Sequence, residues 1–302
     1  MERFGDPSVL TPVRRPDPVA GPGQVVVQVE AAEVLFLDTV IRRGGAIDFF
    51  PVRPPYVPGT GVAGHVLGTG ERVLVETDGG GYASHVVTDT FIPVPDGVDL
   101  QDAAALLHDG RTAYGLLETT PVRPGDRVLV TAAGGGLGLL LVQLARAAGG
   151  RVVAAARGEA KLAAAARAGA EATVDYTVPG WADDLAADVV FDGAGGAIGR
   201  AAFGAVAPGG RFSAHGAPGG FTVPDPAEVE AHGITVRGIE QVQFTPPDIR
   251  RLVTLALANA DRVRPVVGAT FPLEKAADAH AAVEGRTVIG KALLLPPGLL
   301  GD

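Results

Sequence analysis

Residues 126–157 read DRVLVTAAGGGLGLLLVQLARAAGGRVVAAAR. The branched apolar run 127–131 has the length of a strand, and 137–148 is apolar on almost every face, as a buried helix is. A second apolar run, 152–156, closes a strand–helix–strand unit. Between the first strand and the helix, Ala133, Gly135 and Gly138 form an Ala-x-Gly-x-x-Gly turn, with Gly136 and Leu137 inside it. Glycine there lets the backbone approach a diphosphate at the helix N-terminus. The first position is Ala133, so the dinucleotide fingerprint is imperfect, and a glycine-rich turn with no ligand is the alternative it leaves open.

The end of the second strand bears on which dinucleotide. A free ribose 2′-hydroxyl calls for Asp or Glu near that point. The chain instead has Ala155-Ala156-Arg157, with Lys161 one helical turn further on. Two cations and no carboxylate suit a 2′-phosphate, so NADPH is expected rather than NADH. Glu159 lies between the two and offsets part of their field, and two solvated surface cations are the plainer alternative.

Composition narrows the classes. With 302 residues the chain is long enough for two domains, each with a core. Its net charge of −9 argues against a nucleic-acid or anionic-membrane partner. There is no cysteine, which excludes disulfides, thiolate nucleophiles and Cys-ligated zinc. No charged leader followed by about 18 apolar residues occurs, so a cytoplasmic location is expected.

Before the glycine turn the chain looks antiparallel and turn-rich, with strands expected at 24–32, 61–66, 71–76 and 82–87 and a short helical turn at 35–43. Residues 101–118 read as a helix interrupted at Gly110. After Arg157, strands at 173–176, 188–191, 211–214 and 235–238 alternate with helices at 159–168 and 198–206, and a helix at 249–260 follows them. A mostly parallel sheet covered by helices accounts for this second region.

Several stretches carry a resemblance in order along nearly the whole chain: GPGQVVVQVEAAEVLFLDTVIRRG, PPYVPGTGVAG, GGYASHVV, RTAYGLL, RPGDRVLVTAAGGGLG, GAEATVDY, PGGRF and EGRTVIGKALLL. Together they resemble the zinc-independent quinone oxidoreductase branch of the medium-chain dehydrogenase/reductase superfamily, the group of zeta-crystallin-like enzymes. The resemblance implies an α/β Rossmann domain, 101–262, inserted in a GroES-like β-rich catalytic domain made of 1–100 and 263–302. It also implies a cleft that takes NADPH and, commonly, a homodimer. By the same resemblance Thr112 approaches the nicotinamide end, Gly135, Gly136, Leu137 and Gly138 form the diphosphate turn, and Lys161, Tyr176 and Arg286 lie at the adenosine 2′-phosphate. Arg157 replaces a small polar residue there.

The catalytic side departs from the resembled pattern. Ala-Ala-Gly-Val-Asn-Phe becomes Ala31-Ala32-Glu33-Val34-Leu35-Phe36, so Leu35 replaces an asparagine that lines the nicotinamide pocket. Gly61 replaces the glutamate of a Pro-Gly-x-Glu segment, and no tyrosine occurs among residues 45–50. The chain also begins inside the first strand of the resembled domain, and a compact variant lacking that strand is the expectation, a misassigned coding start being the alternative.

No histidine cluster has zinc spacing, so no metal is expected. His108, in the segment leading to Thr112, is the candidate pocket acid, a plain histidine being the alternative. Asp38, four residues before Arg42, is expected to pair with it and act as an orienting residue. Phe36, Phe49, Phe50 and Tyr56, with Leu35 and Gly61, form a candidate apolar pocket for a flat electrophile. The expected function is NADPH-dependent, metal-independent reduction of a quinone or activated alkene. The alternatives are a biosynthetic enoyl or enone reductase of narrow specificity and a catalytically silent NADPH-binding protein.

Overall fold

The computed structural model describes residues 1–46 and 49–297. In chain order the elements begin with β1 (Val25–Val34), α1 (Phe36–Arg42), β2 (Gly61–Val66), β3 (Arg72–Glu76), β4 (His85–Thr88), β5 (Ile92–Pro93) and α2 (Leu100–Thr119). Next come β6 (Arg127–Val130), α3 (Gly136–Ala147), β7 (Arg151–Ala156), α4 (Glu159–Ala168), β8 (Ala172–Asp175), β9 (Ala187–Asp192) and α5 (Gly196–Gly204). The remainder are β10 (Val206–Ala214), α6 (Pro226–His232), β11 (Thr235–Arg237), α7 (Pro246–Ala258), β12 (Val267–Pro272), α8 (Ala276–Glu284) and β13 (Lys291–Leu295). They fall into two compact units, one of 1–108, 257–261 and 265–302, the other of 109–256 and 262–264.

The first unit holds a seven-stranded sheet in the order β12-β13-β1-β2-β3-β5, with β4 also on β1. Alternation along β1 sends Val27 and Val29 into the core with Val62, Val73 and Leu294. The C-terminal strand β13 pairs antiparallel with β1, Glu33 opposite Leu293, and β2 follows on the other side with Ala32 opposite Val62.

Three local expectations are corrected. The strand read at 82–87 begins only at His85, because Tyr82 turns its ring into the core where its hydroxyl finds buried partners. Gly110 does not interrupt α2. A single glycine costs a helix about 1 kcal/mol, and burial of Leu106, Leu107 and Leu116 outweighs it. Asp38 does not pair with Arg42. It sits in the first turn of α1, where Oδ2 accepts from Leu35 N at 2.9 Å, while Arg42 meets Glu284 of α8 at 2.5 Å.

The second unit holds a six-stranded sheet in the order β11-β10-β9-β6-β7-β8, with every pairing parallel. Its strands are buried on both faces, which is why Val128–Leu129–Val130 and Val189–Val190–Phe191 read as unbroken apolar runs. Numbered within the unit, the order is 6-5-4-1-2-3, the doubly wound arrangement with its switch point between β6 and β9.

Candidate functional site

At the switch point, β6 runs into a turn closed by Gly135 N donating to Ala132 O at 3.0 Å. Gly135 caps α3 with no side-chain hydrogen bond, so the amides of the first turn have no side-chain cap. The glycines are not interchangeable. A Cβ on Gly138 would lie 2.5 Å from Ala132 O and 2.7 Å from Ala133 Cα, whereas one on Gly135 meets nothing nearer than 3.5 Å. Ala133, fully buried, is accommodated where the fingerprint has its first glycine. Gly134 faces the stem of Lys161, whose Cβ would stand 2.5 Å from an added Cβ. The turn thus fits a diphosphate, with a lysine stem laid across it.

Of the other expected nucleotide residues, Arg157 is exposed at the tip of β7, and Lys161 is half-buried on α4. Half-buried Tyr176 packs edge-on against Trp181, centroids 6.3 Å apart. A carboxylate that sequence reasoning missed, Asp175 at the end of β8, lies close enough for Arg157 to act on it. It is already engaged: it accepts from Gly158 N at 3.0 Å and from the Thr177 amide and hydroxyl at 2.9 and 2.7 Å. Those bonds, before the Arg157 charge, hold its pKa below the usual range. Thr112 is half-buried on α2, and Arg286 belongs to the other unit, at φ 56° after α8.

Beside the turn, Asp192 at the end of β9 is a hub. Its Oδ1 accepts from the Thr131 hydroxyl at 2.7 Å and from the amides of Ala194 and Gly195, and its Oδ2 accepts from the Thr222 hydroxyl at 2.7 Å. The DGAGG string after β9 was visible in the sequence, but its partners Thr131 and Thr222 are brought to it only by the parallel sheet.

In the first unit a second constellation surrounds His108. Gly61 pairs with Glu76 across β2 and β3, and Glu33 stands on the far side of Gly61 on β1. His108 Nδ1 is hydrogen-bonded to Glu33 Oε1, and Nε2 is 3.4 Å from Glu76 Oε1. The imidazole is clasped between carboxylates from strands flanking a glycine, and both nitrogens serve both carboxylates only in the doubly protonated ring. Lys291 Nζ reaches the other Glu33 oxygen at 2.7 Å. Burial raises the pKa of Glu33, but the His108 and Lys291 charges outweigh it and bring the carboxyl down to about 2. A Cβ on Gly61 would come within 2.0 Å of Glu33 Oε1. Positions 33 and 61, remote in sequence, are therefore coupled: the carboxylate comes from β1, and the glycine on β2 makes room for it.

Asp38 heads a third buried group. Tyr82 donates to Asp38 Oδ2 at 3.1 Å and accepts from His280 Nε2 at 2.9 Å. Burial lifts Asp38 to about 6 and presses His280 down to about 3. Of the expected pocket residues, Leu35 and Phe36 stand at the start of α1, Gly61 opens β2, and Tyr56 is half-buried, its phenol pushed up to about 12 by burial and by Asp38. Phe49 and Phe50 are 80% and 42% exposed, and Ile47 and Asp48 beside them lie outside the described residues. Among the described residues no group of three or more His, Cys, Asp or Glu side chains is placed to hold a metal ion.

A profile of the Zinc-binding dehydrogenase family matches residues 136–258. The chain is 32% identical to the 2-haloacrylate reductase of Burkholderia sp, over 91% of this chain and 92% of that protein. It is 30% identical to the quinone oxidoreductase of Sus scrofa, over 97% and 95% respectively. The solved quinone oxidoreductase of Thermus thermophilus, also determined in complex with NADPH, superposes with a TM-score of 0.81 at 35% identity, over 94% of this chain and 95% of that one. A Rossmann unit with this glycine turn and a β-rich unit in one chain define a nucleotide-dependent oxidoreductase of the medium-chain dehydrogenase/reductase architecture. Within that class, the chain belongs to the zinc-independent quinone oxidoreductase family.

Proposed function

We propose that this protein is an NADPH-dependent reductase of quinones or activated alkenes. The observation that carries the reading is the glycine turn at the sheet's switch point, with no side-chain cap on the helix it opens and the Lys161 stem packed across it. When bound, NADPH supplies the hydride. The chain's own groups do the rest: the turn amides hold the diphosphate, and Lys161 and Arg157 meet the 2′-phosphate. Thr112 serves the nicotinamide end and Tyr176 the adenosine. His108, 15% exposed at its side chain, holds a proton for the reduced product, so that hydride transfer to the quinone gives a hydroquinone monoanion and this one proton completes the hydroquinone, the imidazole being reprotonated from water. Leu35, Phe36, Phe49, Phe50 and Tyr56 offer apolar surface to a flat electrophile. The similarity to a 2-haloacrylate reductase supports the alkene arm.

The test is anaerobic monitoring of NADPH absorbance with quinones, enones, enoyl thioesters and alcohols, alongside calorimetric titration of NADPH and NADH. Expected are turnover with quinones or enones and about tenfold tighter binding of NADPH, the worth of one strong phosphate contact. Turnover with alcohols alone would overturn the chemistry. Tight NADPH binding without turnover of any acceptor would favour a protein acting by association.

A further inference from the structure

The nucleotide unit contains a buried imidazole with no role so far, His215, one residue beyond β10. Its neighbours decide which ring nitrogen carries the hydrogen. The Gln241 amide nitrogen donates to the carbonyls of Arg237 at 3.1 Å and Gly238 at 2.7 Å, leaving Gln241 Oε1 as an acceptor only. The Ser213 hydroxyl gives its single hydrogen to that oxygen at 3.0 Å. Toward His215 Nδ1, 3.1 Å away, Ser213 can then only accept, so Nδ1 bears the hydrogen. Burial presses the pKa of His215 down to about 4 against the opposing Asp192 charge, so the ring is neutral at physiological pH. Nε2 is consequently a lone pair.

That lone pair has a place in the fold. His215 N donates to Asp192 O at 3.2 Å, and a Cβ added at Gly193 would stand 3.3 Å from Nε2. The ring therefore sits at the C-terminal ends of β9 and β10. Among the described residues none donates to Nε2. In a doubly wound sheet the half containing the glycine turn takes the diphosphate and the first nucleoside, and the half built on β9, β10 and β11 faces the second. For NADPH the second base carries a carboxamide, whose nitrogen has two hydrogens to donate.

We infer that His215 Nε2 accepts a hydrogen bond from the carboxamide N–H of bound nicotinamide, making His215 a cofactor-positioning residue. Ser213 and Gln241 act behind it by fixing the tautomer. A held carboxamide limits rotation of the pyridine ring and so the face it presents. The inference rests on the reading of this unit as the NADPH site.

It is tested by calorimetric titration of the wild type and H215F with NADP⁺ and with its 3-acetylpyridine analogue, in which a methyl ketone replaces the amide. The wild type should bind NADP⁺ about tenfold more tightly than the analogue, and H215F should bind the two alike. Equal binding by the wild type, or the tenfold preference retained in H215F, would overturn the inference. Nitrogen-15 NMR of histidine-labelled wild type needs no variant to fold: a signal of the Nδ1–H tautomer that shifts at Nε2 on adding NADP⁺ is expected, and an Nε2–H tautomer overturns it. Failure of the cofactor reading itself looks different, as no binding of either dinucleotide by the wild type.

Discussion

Glu33 and Asp38 lie five residues apart, are equally buried, and titrate in opposite directions because of what faces them. Glu33 has two cationic partners, so its stabilising contribution is present above the ordinary carboxylate range near 4.5 and is lost as pH falls toward about 2. Asp38 accepts from the Leu35 amide and the Tyr82 hydroxyl, but burial dominates, and the Glu33 charge adds to it. With a folded pKa of about 6 against 3.8, the unfolded chain binds fewer protons between those values, so stability falls as pH rises through that window. D38N removes this titration while keeping an acceptor for both donors. Its melting temperature relative to the wild type should therefore be higher near pH 7.5 than near pH 4, by roughly 5 °C. Thermal melts at the two pH values check this, and a difference independent of pH would remove Asp38 as the cause.

The strand, turn and helix from β6 through α3 depend on Gly138 for contact with the backbone of Ala132 and Ala133. G138A should push the turn outward, lowering NADPH affinity at least tenfold, the equivalent of about 1.4 kcal/mol. Fluorescence titration reads the change, and unaltered affinity would show that the turn does not hold the diphosphate. This element was legible from sequence because its signals are local: an apolar run, glycines at fixed offsets, and a second apolar run. The path of α2 through Gly110 was not, since burial of leucines along the helix outweighs one glycine's local cost. Least legible was the cluster around His108, which draws Glu33, Glu76 and Lys291 from β1, β3 and β13. In the sequence His108 is a candidate only through its place before Thr112, with a plain histidine as the alternative; pairing across the sheet supplies its partners, and no short-range signal joins positions 33, 61, 76, 108 and 291.

The whole molecule has a separate core in each unit, so ligand binding and core damage can be set against each other within the nucleotide unit. Phe203 packs edge-on against Phe212 with centroids 5.2 Å apart and is nearly inaccessible, so F203A should cost about 3–5 kcal/mol. NADPH at a hundredfold excess over its Kd should restore about 2.7 kcal/mol. Urea unfolding of the variant with and without NADPH measures both, and an unfolding midpoint unmoved by NADPH would contradict binding to the folded unit. No helix among the described residues is long and apolar enough to cross a membrane. The fit of Glu33 over Gly61 constrains how such a chain can change by descent. A glutamate introduced at 61 alone collides with the one at 33, and a glycine introduced at 33 alone strips Lys291 and His108 of their shared carboxylate. Either first step passes through a damaged protein. In a recombination library with a parent that carries glycine at 33 and glutamate at 61, crossovers between β1 and β2 should therefore be purged, and the folded survivors should inherit both strands from one parent.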